Sequence, residues 1–154
     1  MNYKGIWFFG LSGSGKTTSA EYIKNNIFKN SLLLDGDLIR KFVSYDLNYS
    51  IEDRCIQIRR ILGICKICIK SKIFPVCSSV YMNQEILDEL INLKIKPIKI
   101  VRDFNKIKNS DIYKNNSNVI GMDLNYEKTF DVKIIKNENL TDLFLELELF
   151  FKYK

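Results

Sequence analysis

A glycine-rich stretch near the N-terminus constrains this chain more than any other feature. Residues 10–18 read GLSGSGKTT and directly follow the apolar run IWFF. The stretch fits the pattern G-x-x-x-x-G-K-[ST], in which backbone N–H groups cradle phosphates at the start of a helix. After this stretch the hydrophobic periodicity becomes helical, with Ala20, Ile23 and Ile27 on one face. The motif requires such a succession of strand, turn and helix. The sequence therefore predicts a phosphate loop that binds a nucleotide.

The residues of this loop have separate predicted roles. Gly13 and Gly15 let the backbone turn so that successive N–H groups face the phosphates. Lys16 is expected to reach the β- and γ-phosphates, and the Thr17 hydroxyl is expected to bind Mg²⁺. The predicted ATP-binding residues are Gly10, Ser12, Gly13, Ser14, Gly15, Lys16, Thr17 and Thr18.

Length and charge indicate one domain with small anionic partners. The chain has 154 residues, 46% of them hydrophobic, which suits one core and a single domain over residues 1–154. Its net charge of +6 favours anions, but the lysines are dispersed and most aromatic residues fall in predicted core elements. We therefore expect ATP and a small nucleotide as partners, not nucleic acid or a membrane. The sequence shows no apolar run long enough to span a membrane and no export signal. With four cysteines, which we expect to be reduced thiols, this predicts a cytoplasmic protein.

The chain contains no histidine, which excludes several kinds of active site. Hydrolases that pair serine or cysteine with histidine cannot be built from it. Cys65 and Cys68 have the spacing of a metal-binding or redox pair, but no second pair accompanies them. We interpret the cysteines as structural residues.

Hydrophobic periodicity predicts alternating strands and helices. The predicted strands are residues 5–9, 31–34, 73–77, 96–101 and 131–135. The predicted helices begin at residue 16 and cover residues 51–70, about 83–93 and 140–151. This order indicates an α/β fold with a parallel sheet of about five strands flanked by helices. Residues 102–125 are polar and weakly periodic, so we expect a mobile excursion rather than part of the core.

Two acidic residues follow the second predicted strand, at the edge of the sheet where open α/β folds bind ligands. A carboxylate at Asp35 or Asp37 can accept a proton from a hydroxyl or hold the water shell of a metal ion. Taken alone, the sequence Asp-Gly-Asp is more typical of a turn. Arginines that suit phosphate or sulfate oxygens follow it, and their clustering favours an anion site; they are Arg40, Arg54, Arg59 and Arg60.

Several blocks together resemble the adenylyl-sulfate kinase family. GLSGSGKTT, LLDGDLIR and LNYSIEDRCIQIRR are similar to that family's GLSGxGKTT, DGDxxR and LGFxxxDRxxNIRR, and DIYK and GMDLNYEK to its GLYK and GIDxxYExP. The match runs in order over about residues 5–128. The resemblance implies a P-loop kinase fold with a lid at about residues 103–128. It also implies a kinase that passes the γ-phosphoryl group of MgATP to a ribose 3′-hydroxyl, and it makes a homodimer a reasonable expectation.

The resemblance also implies roles for individual residues. Asp35 would be the catalytic base, Lys16 would act on the phosphates, and Thr17 with Asp35 would hold Mg²⁺. Tyr49, where the family has Phe, would stack on the acceptor base. The acceptor-binding residues implied in this way are Asp37, Arg40, Tyr49, Arg54, Gln57, Ser79, Val119 and Ile120.

Departures from the family pattern concern the acceptor. Val119 or Ile120 stands where the family has a lid Phe, and Gln57 replaces an Asn. The segment after the third strand, CSSVYMNQE, lacks the family's Pro and Arg. Because the loop and the acidic pair are kept, these changes suggest the same reaction on a different nucleotide. The chain resembles a variant of the family that phosphorylates cytidine diphosphoramidate in capsular phosphoramidate synthesis, since a pyrimidine suits a pocket with one aromatic fewer.

Two alternatives remain open. One is phosphorylation of adenylyl sulfate to 3′-phosphoadenylyl sulfate, in sulfate assimilation. The other is an ATP-binding regulatory protein that transfers nothing, which the retained Asp35, Arg40 and Arg54 disfavour.

Overall fold

A five-stranded parallel sheet carries the rest of the fold. The structure is a computed structural model that describes residues 3–108, 110–115, 119–121 and 130–152. The strands are β1 (Gly5–Phe9), β2 (Ser31–Asp35), β3 (Phe74–Ser79), β4 (Ile95–Val101) and β5 (Lys133–Lys136). They lie in the order β2-β3-β1-β4-β5, and all four neighbouring pairs are parallel. The strand that leads into the phosphate loop is therefore central.

Helices connect the strands, and polar side chains define where several of them begin. The helices are α1 (Lys16–Asn26), α2 (Gly36–Phe42), α3 (Ile51–Lys70), α4 (Gln84–Asn92), α5 (Phe104–Ile107), α6 (Asp111–Asn115) and α7 (Leu140–Lys152). The Ser50 hydroxyl accepts a hydrogen bond from the Asp53 N–H at the start of α3, and Asn83 does the same for the Ile86 N–H at α4. Across the described residues, no helix combines the length and the apolar character needed to cross a membrane.

Two hydrophobic layers cover the two faces of the sheet. Successive side chains of β1 point to opposite faces. Trp7 and Phe9 pack in the layer formed with α3 and α4, whereas Ile6 and Phe8 pack in the layer formed with α1 and α7. The side chains of all four residues are fully buried. This double cover holds β1, and so the start of the phosphate loop, in a fixed position.

The α/β fold class predicted from periodicity is confirmed, with small shifts at strand ends. The third strand extends to Ser79, and the fifth covers Lys133–Lys136. Helix α2 follows the Asp-Gly-Asp sequence, and Asp35 caps it by accepting hydrogen bonds from the Asp37 and Leu38 N–H groups. All four cysteines are free thiols, three buried and one half-buried, as expected of structural residues.

The expectation that residues 102–125 lie outside the core is wrong for the part that the structure describes. Helices α5 and α6 belong to this segment, and Ile107, Tyr113 and Val119 form a buried cluster against Leu11 of the phosphate loop. The polar composition concealed this cluster because its apolar residues are few and widely spaced. Residues 109, 116–118 and 122–129, which include part of the predicted lid, lie outside the described residues.

Candidate active site

The phosphate loop joins β1 to α1 in a conformation that glycine permits. Gly10, Gly13 and Gly15 have φ angles of 147°, 77° and 102°. A Cβ atom at Gly10 would lie 2.2 Å from the Ile100 carbonyl oxygen, so a side chain there would collide with β4. The first turn of α1 has backbone N–H groups without partners inside the helix, which makes this end of the helix suitable for an anion.

Lys16 is buried at the base of this loop. Its Nζ donates a hydrogen bond to the Leu11 carbonyl oxygen, 2.7 Å away. Burial lowers the pKa of the ammonium group from 10.5 to about 8, although the negative charges of Asp37 and Asp35 act in the opposite direction. The loop therefore keeps a lysine whose charge is weakly solvated and available to an anionic ligand.

The Asp35 carboxylate connects three elements of the site. Its Oδ2 accepts hydrogen bonds from the hydroxyls of Thr17 (2.8 Å) and Ser78 (2.6 Å). Its Oδ1 accepts them from the N–H groups of Asp37 (3.0 Å) and Leu38 (3.2 Å). Burial by itself raises the pKa of this carboxyl, but the hydrogen bonds, led by those from Ser78 and Thr17, together bring the pKa below its usual value.

The donors around Asp35 make it a poor proton acceptor. Each of its oxygens already accepts two hydrogen bonds, so a proton on either oxygen would displace a donor, and Asp35 can hold a metal ion most readily through the water shell of the ion. A lowered pKa also makes it a weak base. The role of catalytic base that the resemblance implied for Asp35 stays a prediction, and it would require one of these donors to release the carboxylate.

Thr17 and Asp35, the predicted metal-binding pair, lie within hydrogen-bonding distance of each other at the N-terminus of α1. Among the residues that the structure describes, no group of three or more Asp, Glu, Cys or His side chains could hold a metal ion. Mg²⁺ fits the pair nonetheless, because it is commonly held by one or two protein oxygens, substrate phosphates and waters.

A cationic aromatic cluster lies across α2 and α3. The guanidinium carbons of Arg40 and Arg54 lie 4.6 and 5.5 Å from the centroid of the Tyr49 ring. Arg54 Nε donates to the Tyr49 carbonyl at 3.0 Å, and Arg40 donates to the Asn48 carbonyl. Burial and the nearby charge of Arg40 lower the pKa of Arg54. Because the Tyr49 ring is half exposed, the cluster presents two cationic groups and an aromatic face on one surface. Such a surface suits a ligand that carries an anionic group and a planar ring.

Asp37, in the first turn of α2, lies near enough to the loop and to this cluster for its charge to act on both. Its side chain is exposed, and its charge acts on both Lys16 and Arg54. The buried Gln57 supports the backbone next to Asp37. Its Nε2 donates a hydrogen bond to the Gly36 carbonyl oxygen at 2.9 Å. Asp37 is thus the exposed carboxylate of the acidic pair, and its charge reaches both Lys16 and Arg54.

Ser79 and the lid positions have different surroundings from those expected. The Ser79 hydroxyl accepts a hydrogen bond from Trp7 Nε1 (2.8 Å) and donates one to the Tyr81 carbonyl (2.9 Å), so it is occupied within the protein. Val119 and Ile120 are buried, and Val119 packs in the cluster against Leu11. The surroundings of Ser79, Val119 and Ile120 therefore do not support the predicted contacts of these residues with the acceptor.

Two of the four arginines lie away from the site. Arg59 pairs with Glu85 at 2.7 Å, and Arg60 pairs with Asp46 through two hydrogen bonds of 2.5 and 2.7 Å. The prediction that all four cluster at an anion site is therefore wrong for this pair, which forms surface ion pairs instead.

Three site residues were missed by sequence reasoning. Ser78 lies opposite Asp35 in the parallel register of β2 and β3, and correct strand ends would have indicated it. Tyr113 donates its hydroxyl hydrogen to the Ser12 carbonyl at 2.9 Å, and Asn137 donates its amide hydrogen to the Ser14 carbonyl at 2.8 Å. These contacts join residues 101 and 123 positions apart, and no local pattern signals them.

Similarity to known proteins agrees with this geometry. The adenylylsulphate kinase family model matches residues 3–131. An adenylyl-sulfate kinase of Buchnera aphidicola is 41% identical over 95 residues, covering 58% of this chain and 46% of that protein. One from Bacteroides thetaiotaomicron is 38% identical over 91 residues, covering 57% and 45%. The chain thus spans about half the length of these curated relatives.

A solved structure shares the whole fold. Mycobacterium tuberculosis APS kinase, in complex with AMPPNP and APS, superposes with a TM-score of 0.84 at 18% identity, covering 99% of this chain and 98% of that one. At this identity the likeness concerns the fold, and it confirms the P-loop kinase architecture. With the family model matching most of the chain, the conclusion is plain: this chain belongs to the adenylylsulphate kinase family.

Proposed function

We propose that this chain is an ATP-dependent kinase that transfers the γ-phosphoryl group to the ribose 3′-hydroxyl of adenylyl sulfate. The observation that carries the proposal is that one fold presents both a phosphate loop with a buried Lys16 and the Arg40, Tyr49 and Arg54 cluster, with the charge of the exposed Asp37 acting on Lys16 and on Arg54. A donor phosphate at Lys16 and an acceptor on the cluster would meet at this carboxylate. Relatives that match the chain are named adenylyl-sulfate kinases, which favours this acceptor over the cytidine compound.

The two aspartates divide the work in this proposal. Asp37 accepts the proton of the attacking hydroxyl in this proposal, because it is exposed and its charge acts on both Lys16 and Arg54. Asp35 orients the Thr17 hydroxyl and stays ionised. Thr17 and Asp35 would hold Mg²⁺, which offsets negative charge on the phosphates when bound. Lys16 and the loop N–H groups orient the donor, and Arg40 and Arg54 orient the anionic part of the acceptor.

Cytidine diphosphoramidate is the second candidate acceptor. Val119 lies where the resemblance places the lid aromatic, and it packs with Ile107 and Tyr113. With Val119 in place of the lid aromatic, Tyr49 would provide the stacking surface at the acceptor. A single stacking surface suits a smaller base.

The acceptor is tested by offering both nucleotides with MgATP and measuring kcat/KM for each. We expect adenylyl sulfate to give the higher value and a new phosphomonoester at the ribose 3′ position, detected by ³¹P NMR. The Lys16→Ala variant is the control, and it should transfer phosphate to neither acceptor because Lys16 acts on the donor. A higher kcat/KM with cytidine diphosphoramidate would reverse the choice, and ATP hydrolysis without transfer to either would contradict the kinase.

Exchange of each aspartate for asparagine separates their roles. Asp37→Asn should lower kcat by about two orders of magnitude or more with a nearly unchanged KM for ATP, because an amide cannot accept the proton. Asp35→Asn should lower Tm and raise the Mg²⁺ concentration needed for half-maximal rate, since hydroxyl donors and N-terminal N–H groups prefer a carboxylate. Steady-state kinetics and thermal unfolding measure both. A near-wild-type kcat for Asp37→Asn would remove Asp37 from the chemistry.

The lowered pKa of Lys16 predicts how ATP binding depends on pH. Below its pKa of about 8 the side chain is charged, so the Kd for ATP should be independent of this group. Above that pH the free protein loses the charge, and the Kd should rise about tenfold per unit, because binding must then take up a proton. Isothermal titration calorimetry from pH 7 to 10 measures this.

Lys16→Arg is the matched control for that titration. Arginine keeps its charge over this range, so the Kd of the variant should stay flat even where it is weaker than that of the wild type. Parallel pH profiles for the two proteins would show that Lys16 does not titrate near pH 8.

A further inference from the structure

Asn137 is a buried polar residue at the C-terminal end of β5, outside the motifs that define the family resemblance. Its side chain is 3% exposed. Its backbone N–H donates to the Val101 carbonyl at the end of β4, at 2.8 Å. The residue is therefore anchored to the sheet on the side away from the Arg40, Tyr49 and Arg54 cluster, because β5 is the edge strand opposite to β2.

The side chain of Asn137 reaches the phosphate loop. Its Nδ2 donates to the Ser14 carbonyl oxygen at 2.8 Å within the protein interior. Since a carbonyl oxygen only accepts hydrogen bonds, the nitrogen end of the amide must face it. The fit is close: a Cβ atom at Gly15 would lie 2.4 Å from Nδ2. Gly15 is thus required here both by its φ of 102° and by the presence of Asn137.

This contact sets the direction of one N–H group in the loop. The Ser14 carbonyl and the Gly15 N–H belong to the same peptide unit, which is planar and trans. In such a unit the two bonds point in opposite directions. Holding the carbonyl toward Asn137 therefore turns the Gly15 N–H away from the interior, to the side where a phosphate would lie.

We propose that Asn137 is a positioning residue for the nucleotide donor, holding the Ser14–Gly15 peptide so that the Gly15 N–H faces the phosphates. The inference rests on the proposed use of ATP as donor. It differs from a structural role in one measurable respect: a structural role changes only stability, whereas a positioning role changes the phosphate affinity of the folded protein. The proposed acceptor surface, formed by Arg40, Tyr49 and Arg54, does not include this peptide, so acceptor binding should be unaffected.

The test compares wild type, Asn137→Ala and Asn139→Ala at a temperature where all three are folded. Asn139 is exposed, and its side chain accepts a hydrogen bond from the Asp142 N–H at the start of α7, so it provides an asparagine control without a contact to the loop. Binding of MgATP and of Mg-tripolyphosphate, which lacks the nucleoside, is measured by calorimetry. The KM for the acceptor and kcat are measured in parallel.

We expect Asn137→Ala to weaken both ligands by about the same factor, tenfold or more, as for loss of a buried hydrogen bond and of the N–H that it orients. The acceptor KM should stay within about twofold, and Asn139→Ala should bind both ligands like the wild type. Wild-type affinity of folded Asn137→Ala for tripolyphosphate would overturn the inference while leaving the kinase proposal intact, and failure of the wild type to bind either ligand would overturn both.

A measurement on the wild type covers the case in which the variants do not fold. The Gly15 amide proton should move downfield in ¹H–¹⁵N spectra when Mg-tripolyphosphate is added, because it donates to a phosphate oxygen. An unchanged Gly15 resonance at saturating ligand would show that this N–H does not face the phosphates, and it would overturn the inference.

Discussion

The carboxylate of Asp35 holds together the parts of the fold that form the site. Through four hydrogen bonds it joins the first turn of α1 at Thr17, the end of β3 at Ser78 and the N-terminus of α2. Such charge-assisted bonds are individually stronger than neutral ones, and here they converge on one buried group. Loss of any donor would leave a buried charge less well solvated, which explains why this group can fix the relative positions of three elements.

This arrangement separates the two carboxylates by function. Asp35 is saturated with donors and stays ionised, so it suits a role in holding the loop and a cation. Asp37, two residues on, is exposed, and its charge acts on both Lys16 and Arg54. A short sequence, Asp-Gly-Asp, thereby supplies one group that holds the site and another that is open to a substrate. The same loop is also held from the far edge of the sheet by Asn137.

Much of the fold followed from local patterns, because those patterns are physically strong. The strand Gly5–Phe9 and the helix Ile51–Lys70 were predicted with correct bounds from apolar runs and 3.6-residue periodicity. Helix α2 was not predicted from the sequence because Asp-Gly is typical of a turn. Only the folded structure shows that the Asp35 carboxylate caps a helix. The position of the phosphate loop between β1 and α1 followed from the motif, whereas the hydrogen bond between Thr17 and Asp35 was not predicted, and the roles of these residues toward Mg²⁺ and the acceptor stay predictions.

The parts of the site that sequence did not predict depend on distant contacts. The number of hydrogen-bond donors around Asp35 depends on the register of β2 against β3 and on where α1 begins. Neither is determined by a stretch of a few residues. Tyr113 and Asn137 reach the loop from segments more than 100 residues away. The resemblance implied an acceptor contact for Ser79, but Trp7 and Tyr81 occupy its hydroxyl.

The most direct test of this account is a ¹³C NMR titration of the Asp35 side-chain carboxyl, followed to acid pH while the amide spectrum stays native. Four hydrogen bonds to the ionised form predict a midpoint below the ordinary aspartate value of about 3.9, and Ser78→Ala should move it upward. The ionised carboxylate would then stabilise the fold above its unfolded-state pKa, with that stability lost as the pH falls through the folded-state value. A midpoint at or above about 3.9 would mean that burial outweighs the hydrogen bonds, and it would contradict the division between Asp35 and Asp37.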